Sequence, residues 1–239
     1  MRRALVTGGS GAIGAAICSR LAAAGARVAV HANRNLAEAE RVVQNIRAAG
    51  GAAEALAFDV TDAAAATAAL EKLLAGGPVQ IVVNNAGIHA DAPMAGMSEE
   101  QWKSVLDVSL HGFFNVTKPL LLPMIGTRWG RIVSLSSVAA LRGNRGQTNY
   151  AAAKAGLHGA VKSLAIEVAS RGVTVNAVAP GIIDSPMSNH AFSAEDIARM
   201  VPMKRAGTPH EVAAVVGFLC SEEAAYVSGQ VLAVDGAMA

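Results

Sequence analysis

Aromatic side chains are scarce in this chain of 239 residues, in which Phe, Trp and Tyr together make up 4% of the sequence. A core built from it must be aliphatic and rich in alanine, which suits helices packed closely on a sheet. Charged residues are also few, at 16%, whereas hydrophobic residues reach 52%. That balance argues against disorder, and a chain of this size buries roughly 70% of its unfolded surface.

Paired cysteines, metal-ligand spacings and long apolar runs are lacking as well. Cys18 and Cys220 lie far apart in apolar helical patterns, so we expect buried thiols in a reducing cytoplasm. The histidines show no HExxH or paired Cys/His spacing, and we expect no metal site. No apolar stretch reaches about 18 residues, and the one after Arg2 and Arg3 stops at Gly8, so we expect neither a membrane span nor a signal peptide.

Acidic residues are missing between Asp107 and Glu167, a stretch that carries seven lysines and arginines. The formal net charge of the whole chain is only +2, so its positive charge is segregated rather than large. Such a stretch can form a basic face for an acidic partner, or it can scatter its cations over solvated helix ends. We expect no nucleic-acid partner.

Short, nearly continuous apolar runs alternate with longer helical stretches, as is typical of parallel strands buried on both faces and joined by right-handed crossovers. We therefore expect an α/β fold, a single-domain Rossmann-type doubly wound parallel sheet of about seven strands with helices on both faces, over residues 1–239. The predicted strands are Ala4–Thr7, Arg27–His31, Ala55–Phe58, Val79–Val83, Arg131–Leu135, Val173–Val178 and Val231–Val234. The predicted helices lie at about 12–24, 35–49, 62–75, 98–124, 147–170 and 208–220.

Two long connections interrupt the alternation, at residues 86–97 and 180–207, the second with a possible short helix near 193–201. Long connections in compact domains usually cover functional sites. Both follow strands, and ligands of open α/β sheets bind at the carboxyl ends of strands. We expect a substrate lid at about 182–207.

The first predicted strand ends in the glycine-rich turn TGGSGAIG, residues 7–14, and a helix follows. Glycines let the backbone turn tightly and approach a pyrophosphate, and the helix N-terminus supplies free N–H groups and a favourable dipole. Glycine also marks ordinary turns, but the position between strand and helix favours a nucleotide. The residues expected to bind it here are Gly8, Ser10, Gly11, Ala12, Ile13 and Gly14.

The end of the second predicted strand favours NADPH/NADP over NADH. An acid there would bind the ribose 2′-hydroxyl of NAD, but this sequence has Asn33 and Arg34. Arg34 can clamp a 2′-phosphate by charge-assisted hydrogen bonds, or it can be a solvated arginine beside a helix.

Polar residues also follow the third and fourth predicted strands. Asp59, next to Val60, can accept from an adenine amino group, although Asp59 and Asp62 can both serve only as helix caps. Asn84 and Asn85 offer amides that can pin neighbouring strands or a ribose, or simply form a turn.

Tyr150 and Lys154 form the most informative pair, because positions four apart share one helix face. A nearby ammonium favours the phenolate, so we expect Lys154 to lower the pKa of Tyr150 from about 10 toward neutrality. A surface tyrosine beside a solvated lysine is the alternative. Ser137 follows the fifth predicted strand and can hydrogen-bond a substrate carbonyl. Beside a nicotinamide, these groups suit hydride transfer between a carbonyl and an alcohol.

In order and spacing these motifs resemble the short-chain dehydrogenase/reductase family over essentially the whole chain, and most of all its bacterial 3-oxoacyl-(acyl-carrier-protein) reductases. The matching elements are TGGSGAIG at 7–14, Asp59, NNAG at 84–87, Ser137, YAAAK at 150–154 and PG at 180–181.

The resemblance implies NADPH-dependent reduction of a 3-oxoacyl thioester by a cytoplasmic homotetramer. It implies catalytic roles for Ser137, Tyr150 and Lys154, and it implies docking of acyl carrier protein on Arg128 and Arg171. The further cofactor-binding residues that it implies are Asn85, Ala86, Gly87, Pro180, Gly181 and Ile183.

Three residues depart from the family pattern. Ala12 replaces a glycine of the turn, and Gly11 stands where many NADP-type relatives have a basic residue, so Arg34 would carry more of the phosphate recognition. Ser109 replaces an asparagine that normally holds a water connecting the lysine to bulk solvent. Ser109 is shorter but can still hydrogen-bond, and we include it among the catalytic residues.

Two other functions remain open from the sequence. One is a dehydrogenase for acyl-CoA, a sugar, a polyol or a steroid, which a lid containing Pro186, Met187, Met200 and Met203 would admit. The other is a cofactor-binding sensor without turnover, which the presence of both Tyr150 and Lys154 disfavours.

Overall fold

The computed structural model describes residues 1–185 and 192–239, and it is built around one seven-stranded parallel sheet with helices on both faces. The strands are β1 (Arg3–Val6), β2 (Arg27–Ala32), β3 (Ala52–Ala57), β4 (Ile81–Asn84), β5 (Gly130–Leu135), β6 (Val173–Pro180) and β7 (Val231–Val234). Their order across the sheet is β3-β2-β1-β4-β5-β6-β7. This architecture confirms the predicted Rossmann-type α/β fold.

The helices of the described residues connect these strands and cover the sheet. They are α1 (Ala12–Ala23), α2 (Leu36–Ala48), α3 (Ala63–Leu74), α4 (Glu99–Leu106), α5 (Gly112–Gly126), α6 (Ala139–Arg142), α7 (Thr148–Val168), α8 (Ala194–Met200) and α9 (Pro209–Leu219). A π-helical segment, Asp107–His111, joins α4 to α5, and 3₁₀ turns occupy Met94–Gly96 and Ala169–Arg171.

The core consists of two aliphatic layers, one on each face of the sheet. One layer packs α1, α2 and α9 against the strands, and the other packs α3, α5 and α7. Every residue of β4, β5 and β6 is buried, as expected for parallel strands covered by helices on both faces. Cys18 and Cys220 are free, buried thiols in the first layer, as predicted.

Polar caps define where several helices begin. The Asp62 carboxylate accepts from the backbone N–H groups of Ala64 and Ala65 at the start of α3, so the capping alternative for Asp62 is confirmed. Ser98 with Gln101 forms a capping box at α4. Thr208 with Glu211 does the same at α9, and Ser193 with Asp196 at the short helix α8.

Besides shifts of one or two residues at other element ends, the structure differs from the predicted elements in three places. The predicted helix at 98–124 is divided by the π-helical segment Asp107–His111, the third strand begins at Ala52 rather than Ala55, and the short helix Ala139–Arg142 was not predicted. A π-helical segment replaces the i→i+4 hydrogen bonds by i→i+5 bonds over a single turn, and the apolar periodicity of the long predicted helix does not resolve so local a change.

The strand order reverses between β1 and β4, which lie side by side although β2 and β3 come between them in sequence. In doubly wound sheets the crevice at this reversal binds ligands. Within the described residues, no helix is long and apolar enough to cross a membrane. The same residues place no group of three or more His, Cys, Asp and Glu side chains around a metal position.

Candidate active site

The three predicted catalytic side chains meet at the carboxyl end of β5. Ser137 lies two residues beyond that strand, and Tyr150 and Lys154 lie in the first two turns of α7. The Lys154 ammonium is 5.7 Å from the centre of the Tyr150 ring. The helix thus presents both side chains on one face, as their spacing predicts.

The Tyr150 phenol differs from its predicted acid–base behaviour. Burial raises its pKa above the ordinary value, a side-chain hydrogen bond with Ser137 opposes this, and the negative charge of Asp91 raises it further. The prediction that Lys154 lowers this pKa toward neutrality is therefore wrong. Loss of hydration is the largest cause of the shift, and the charge of Lys154 is not among its causes.

Lys154 is buried, with 3% of its surface exposed, and desolvation lowers its pKa to about 8. Its ammonium donates to the carbonyl oxygen of Leu135, the last residue of β5, at 2.8 Å. No second hydrogen bond holds the ammonium within the described ranges, so further N–H groups are available to a ligand. Gly87 keeps space open beside it, because a Cβ there would lie 3.1 Å from the ammonium nitrogen.

The backbone of Lys154 is held by a second contact that sequence reasoning missed. The buried Ser136 hydroxyl donates to the Lys154 carbonyl oxygen at 3.2 Å. The same hydroxyl lies 2.7 Å from Nε2 of His158, one helical turn further along α7. Adjacent residues of one strand end, Leu135 and Ser136, therefore fix both the ammonium and the backbone of Lys154.

The connection at 86–97 is tied to the start of α7 by amide side chains. Asn149, which is fully buried, donates to the carbonyl oxygens of Ala90 at 3.0 Å and Gln101 at 2.9 Å, and it accepts from the backbone N–H of Tyr150. Gln147 donates to Asp91 at 2.8 Å. These contacts explain why Asp91 lies close enough to influence Tyr150, which no local pattern in the sequence reveals.

Ser109 lies in the π-helical segment and lines a cavity of about 10 Å³ together with Thr7, Val60, Asn84 and Lys154. Its hydroxyl is buried and has no hydrogen-bond partner among the described residues. A space of about 10–15 Å³ holds one water, provided that polar groups surround it. The serine and the lysine thus border a space of the right size and polarity for a single water.

The glycine-rich turn packs too closely for side chains at two of its glycines. Gly8 has a φ of +61°, and a Cβ on Gly14 would lie 2.2 Å from the Gly8 carbonyl oxygen. Gly11, the N-cap of α1, provides no capping side chain, and both Gly11 and Ala12 are exposed. Ser10 and Ile13 are partly exposed beside them. The first N–H groups of α1 can therefore receive a phosphate.

Asn84, the last residue of β4, and Asn85, which follows it, hold neighbouring elements together. Asn85 donates to the carbonyl oxygens of Thr7 at 2.9 Å and Gly8 at 3.0 Å. Asn84 donates to the Thr117 hydroxyl of α5 at 3.1 Å. The Thr7 hydroxyl accepts from the backbone N–H groups of Asn85 and the next residue, Ala86, both at 3.0 Å. Of the alternatives for this pair, the structure supports the pinning of neighbouring strands.

Asp59 and Arg34 lie near each other, two residues after the ends of β3 and β2. One Asp59 oxygen accepts from the backbone and the hydroxyl of Thr61, and these bonds lower its pKa, with a smaller contribution from the charge of Arg34. Asn33 and Arg34 are exposed. The Arg34 guanidinium makes no salt bridge or hydrogen bond with the described residues, which leaves it available to a phosphate.

The residues after β6 close the other side of the crevice. Pro180 ends the strand, the Gly181 N–H donates to Val234 of β7 at 2.9 Å, and Ile183 is buried and bridged to Gly207. A Cβ on Gly181 would lie 2.7 Å from the backbone of Asp235. The lid residues Pro186 and Met187 lie outside the described residues, whereas Met200 ends α8 and Met203 is exposed.

The two predicted docking arginines lie at the opposite edge of the sheet. Arg128 and Arg171 are both exposed, and each comes two residues before the start of its strand, β5 or β6. The predicted catalytic residues meet at the carboxyl end of β5, so the length of that strand, about 20 Å for six residues, separates them from the arginines.

Comparisons with known proteins agree over nearly the whole chain. A family model described as enoyl-(acyl carrier protein) reductase matches residues 8–239. A 3-oxoacyl-(acyl-carrier-protein) reductase FabG from Aggregatibacter actinomycetemcomitans is 46% identical over 239 residues, covering 98% of each chain. FabG from Escherichia coli is 45% identical over 240 residues, covering 98% of this chain and 96% of the relative. Nodulation protein G from Azospirillum brasilense is 43% identical over 238 residues, covering 98% and 97%.

Proposed function

Because the chain belongs to the short-chain dehydrogenase/reductase family, and is thus an NAD(P)-dependent oxidoreductase of ketones or alcohols, we propose that it reduces 3-oxoacyl thioesters with NADPH. The product is the 3-hydroxyacyl thioester, and the acyl group is carried by acyl carrier protein, as the names of its FabG relatives state for those proteins. The observation that carries the proposal is the meeting of Ser137, Tyr150 and Lys154, with Lys154 lining one cavity together with Thr7, the first residue of the glycine-rich turn.

The described residues fit a dinucleotide. The uncapped start of α1 suits a pyrophosphate, and the open space at Gly87 beside the Lys154 ammonium suits a ribose. Asp59 has a carboxylate oxygen that no hydrogen bond of the described residues occupies, which suits the adenine amino group. The backbone around Gly181 and Ile183 follows β6 at the position where the family binds the carboxamide. NADPH, when bound, supplies the hydride.

Tyr150 is the proton donor in this proposal. Its raised pKa keeps the phenol protonated near neutral pH, which is the form that carbonyl reduction needs. The phenol proton passes to the oxygen of the 3-oxo group as the carbon accepts the hydride. Ser137 holds that oxygen through its hydroxyl, and the Lys154 ammonium stabilises the phenolate that remains.

Ser109 completes a route by which the proton that Tyr150 gives up is replaced. A single water in the cavity that it lines would accept from Lys154 and donate to the unpartnered serine hydroxyl, linking the two. Serine at this position therefore serves in place of the usual asparagine.

The preference for NADPH rests on Arg34. Its guanidinium lies exposed after β2, at the end of the crevice where Asp59 also lies. A planar guanidinium matches the 2′-phosphate with two parallel hydrogen bonds. We propose the remaining features of the family with it: a cytoplasmic homotetramer, a single domain over 1–239, and a lid at about 182–207.

The test is a steady-state assay of the purified protein with acetoacetyl and longer 3-oxoacyl thioesters on acyl carrier protein and on CoA, with NADPH or NADH. We expect NADPH oxidation with 3-oxoacyl substrates. Tyr150→Phe should lower kcat by about 10²–10⁴-fold, the usual size of a lost general acid, while NADPH affinity stays unchanged. If no 3-oxoacyl thioester supports NADPH oxidation, the proposal is wrong.

A second candidate function is reduction of a 2-enoyl thioester, which the description of the matching family model favours. A 2-enoyl thioester in the same assay separates the two reactions. Sugar, polyol and steroid alcohols complete the panel, because they represent the remaining alternatives within the enzyme class.

A further inference from the structure

His31 lies between the glycine-rich turn after β1 and the segment after β3, buried at the next-to-last position of β2 with 1% of its surface exposed. Its Nδ1 accepts from the backbone N–H of Gly8 at 3.0 Å. Its Nε2 is 2.8 Å from the carbonyl oxygen of Phe58. A carbonyl can only accept and an N–H can only donate, so the ring must be neutral, with its proton on Nε2.

The backbone of His31 makes a second contact with the glycine-rich turn. The His31 carbonyl oxygen accepts from the N–H of Gly9 at 2.8 Å. One residue therefore holds two successive N–H groups of the glycine-rich turn, one through its ring and the other through its main chain. The ring also packs against the Phe58 side chain, with 4.2 Å between ring centres.

The Gly8 N–H depends on this side chain. Gly8 lies beyond the end of β1, where the strand ladder supplies no partner for its N–H, and the His31 ring supplies the acceptor. On its other side the ring holds Phe58, the residue directly before Asp59. Two segments that would contact different parts of a dinucleotide, the turn after β1 and the segment after β3, are thus joined through one imidazole.

We propose that His31 is a positioning residue for the cofactor, setting the glycine-rich turn and the Asp59 segment at a fixed separation. The inference rests on the proposed binding of NADPH. His31 itself touches neither the reacting atoms nor, through its buried ring, the solvent side of the crevice. Burial lowers the pKa of His31, against the smaller effects of the Phe58 carbonyl and the Asp59 charge, so the neutral form with these contacts persists at neutral pH.

Three substitutions of His31 test the contacts of its two ring nitrogens separately. His31→Asn keeps an acceptor near the Nδ1 position for Gly8, His31→Gln keeps a polar group near the Nε2 position for Phe58, and His31→Leu keeps neither. The exposed His210→Asn is the matched control. NADPH dissociation constants are measured by fluorescence titration, and kcat with a 3-oxoacyl thioester is measured at saturating NADPH.

We expect His31→Leu to raise the NADPH dissociation constant about tenfold, the usual size of a lost buried hydrogen bond, with kcat at saturation unchanged. His31→Asn should restore most of the affinity, and His31→Gln should behave as His31→Leu. Equal affinity in a folded His31→Leu, or rescue by Gln as complete as by Asn, would overturn the inference. If His31→Leu does not fold, the NADPH affinities of His31→Asn and His31→Gln still test the inference. A wild-type protein that binds neither NADPH nor NADH would instead refute the proposed function.

Discussion

Lys154 sets an alkaline limit on the proposed reaction. Its pKa is lowered to about 8, whereas that of Tyr150 is raised, so the ammonium loses its proton before the phenol does. We expect kcat for reduction to fall as pH rises through about 8, because the charge that stabilises the phenolate disappears. A pH series of kcat at saturating NADPH checks this. A rate that stays level until the phenol itself titrates would contradict it.

Burial of the Lys154 ammonium lowers the free energy of unfolding. A base whose pKa is lower in the folded than in the unfolded state binds fewer protons when folded, so the penalty is present below about pH 8 and relieved as pH rises above it. We therefore expect Lys154→Met to abolish activity yet not to lower the free energy of unfolding at neutral pH. Chemical denaturation measures this, and a clear loss of stability would indicate that the bond to Leu135 outweighs desolvation.

The proposed preference for NADPH over NADH depends on Arg34. Arg34→Ala should weaken NADPH binding by about tenfold or more, as expected for a lost charge-assisted pair, and leave NADH binding nearly unchanged. Titration with both cofactors measures the ratio. Equal loss for both would show that Arg34 does not contact the 2′-phosphate.

Among the elements, the π-helical segment Asp107–His111 has the clearest functional consequence. It directs Ser109 into the small cavity beside Lys154, where its hydroxyl lacks a partner within the described residues. Ser109→Ala removes an unsatisfied buried hydroxyl, so we expect stability to hold or to rise. We expect kcat to fall several-fold, because the water proposed for this cavity would lose a polar neighbour. NADPH affinity should stay the same.

The outcome for Ser109→Ala distinguishes a proton route from a structural role. Thermal unfolding and kcat are measured on the same preparations, with Ser104→Ala, a neighbouring serine of α4 outside the cavity, as the control. Parallel losses of stability and rate would favour a structural role, and an unchanged rate would exclude the relay.

Local sequence patterns predicted most of the helices and strands, but they did not predict the contacts that complete the candidate active site. Strands buried on both faces are visible as apolar runs, and the i, i+4 spacing of Tyr150 and Lys154 places them on one helix face. The raised pKa of Tyr150 comes from burial and from Asp91, and the Ser136–His158 contact joins a strand end to a helix. Such long-range effects arise only when the sheet assembles, so the sequence does not display them.

At the scale of the whole molecule, the sheet separates the predicted docking arginines from the catalytic residues of the same chain. Arg128 and Arg171 precede β5 and β6, and Ser137 follows the other end of β5. A carrier protein docked on these arginines would therefore reach an active site most directly in another copy of the chain. The proposed homotetramer would supply such a neighbouring copy.

Mixed assemblies test this arrangement. A protein with Arg128→Glu and Arg171→Glu keeps the reacting groups, and a protein with Tyr150→Phe keeps the docking arginines. We expect the first to lose activity with carrier-linked substrates but not with the CoA thioester, and the second to lose activity with both. Co-expression should then restore carrier-dependent activity above the sum of the separate proteins, because one copy docks the carrier for its neighbour. Normal carrier activity in the double arginine variant would refute docking at these residues, and an absence of recovery in the mixture would restrict docking to the chain that reacts.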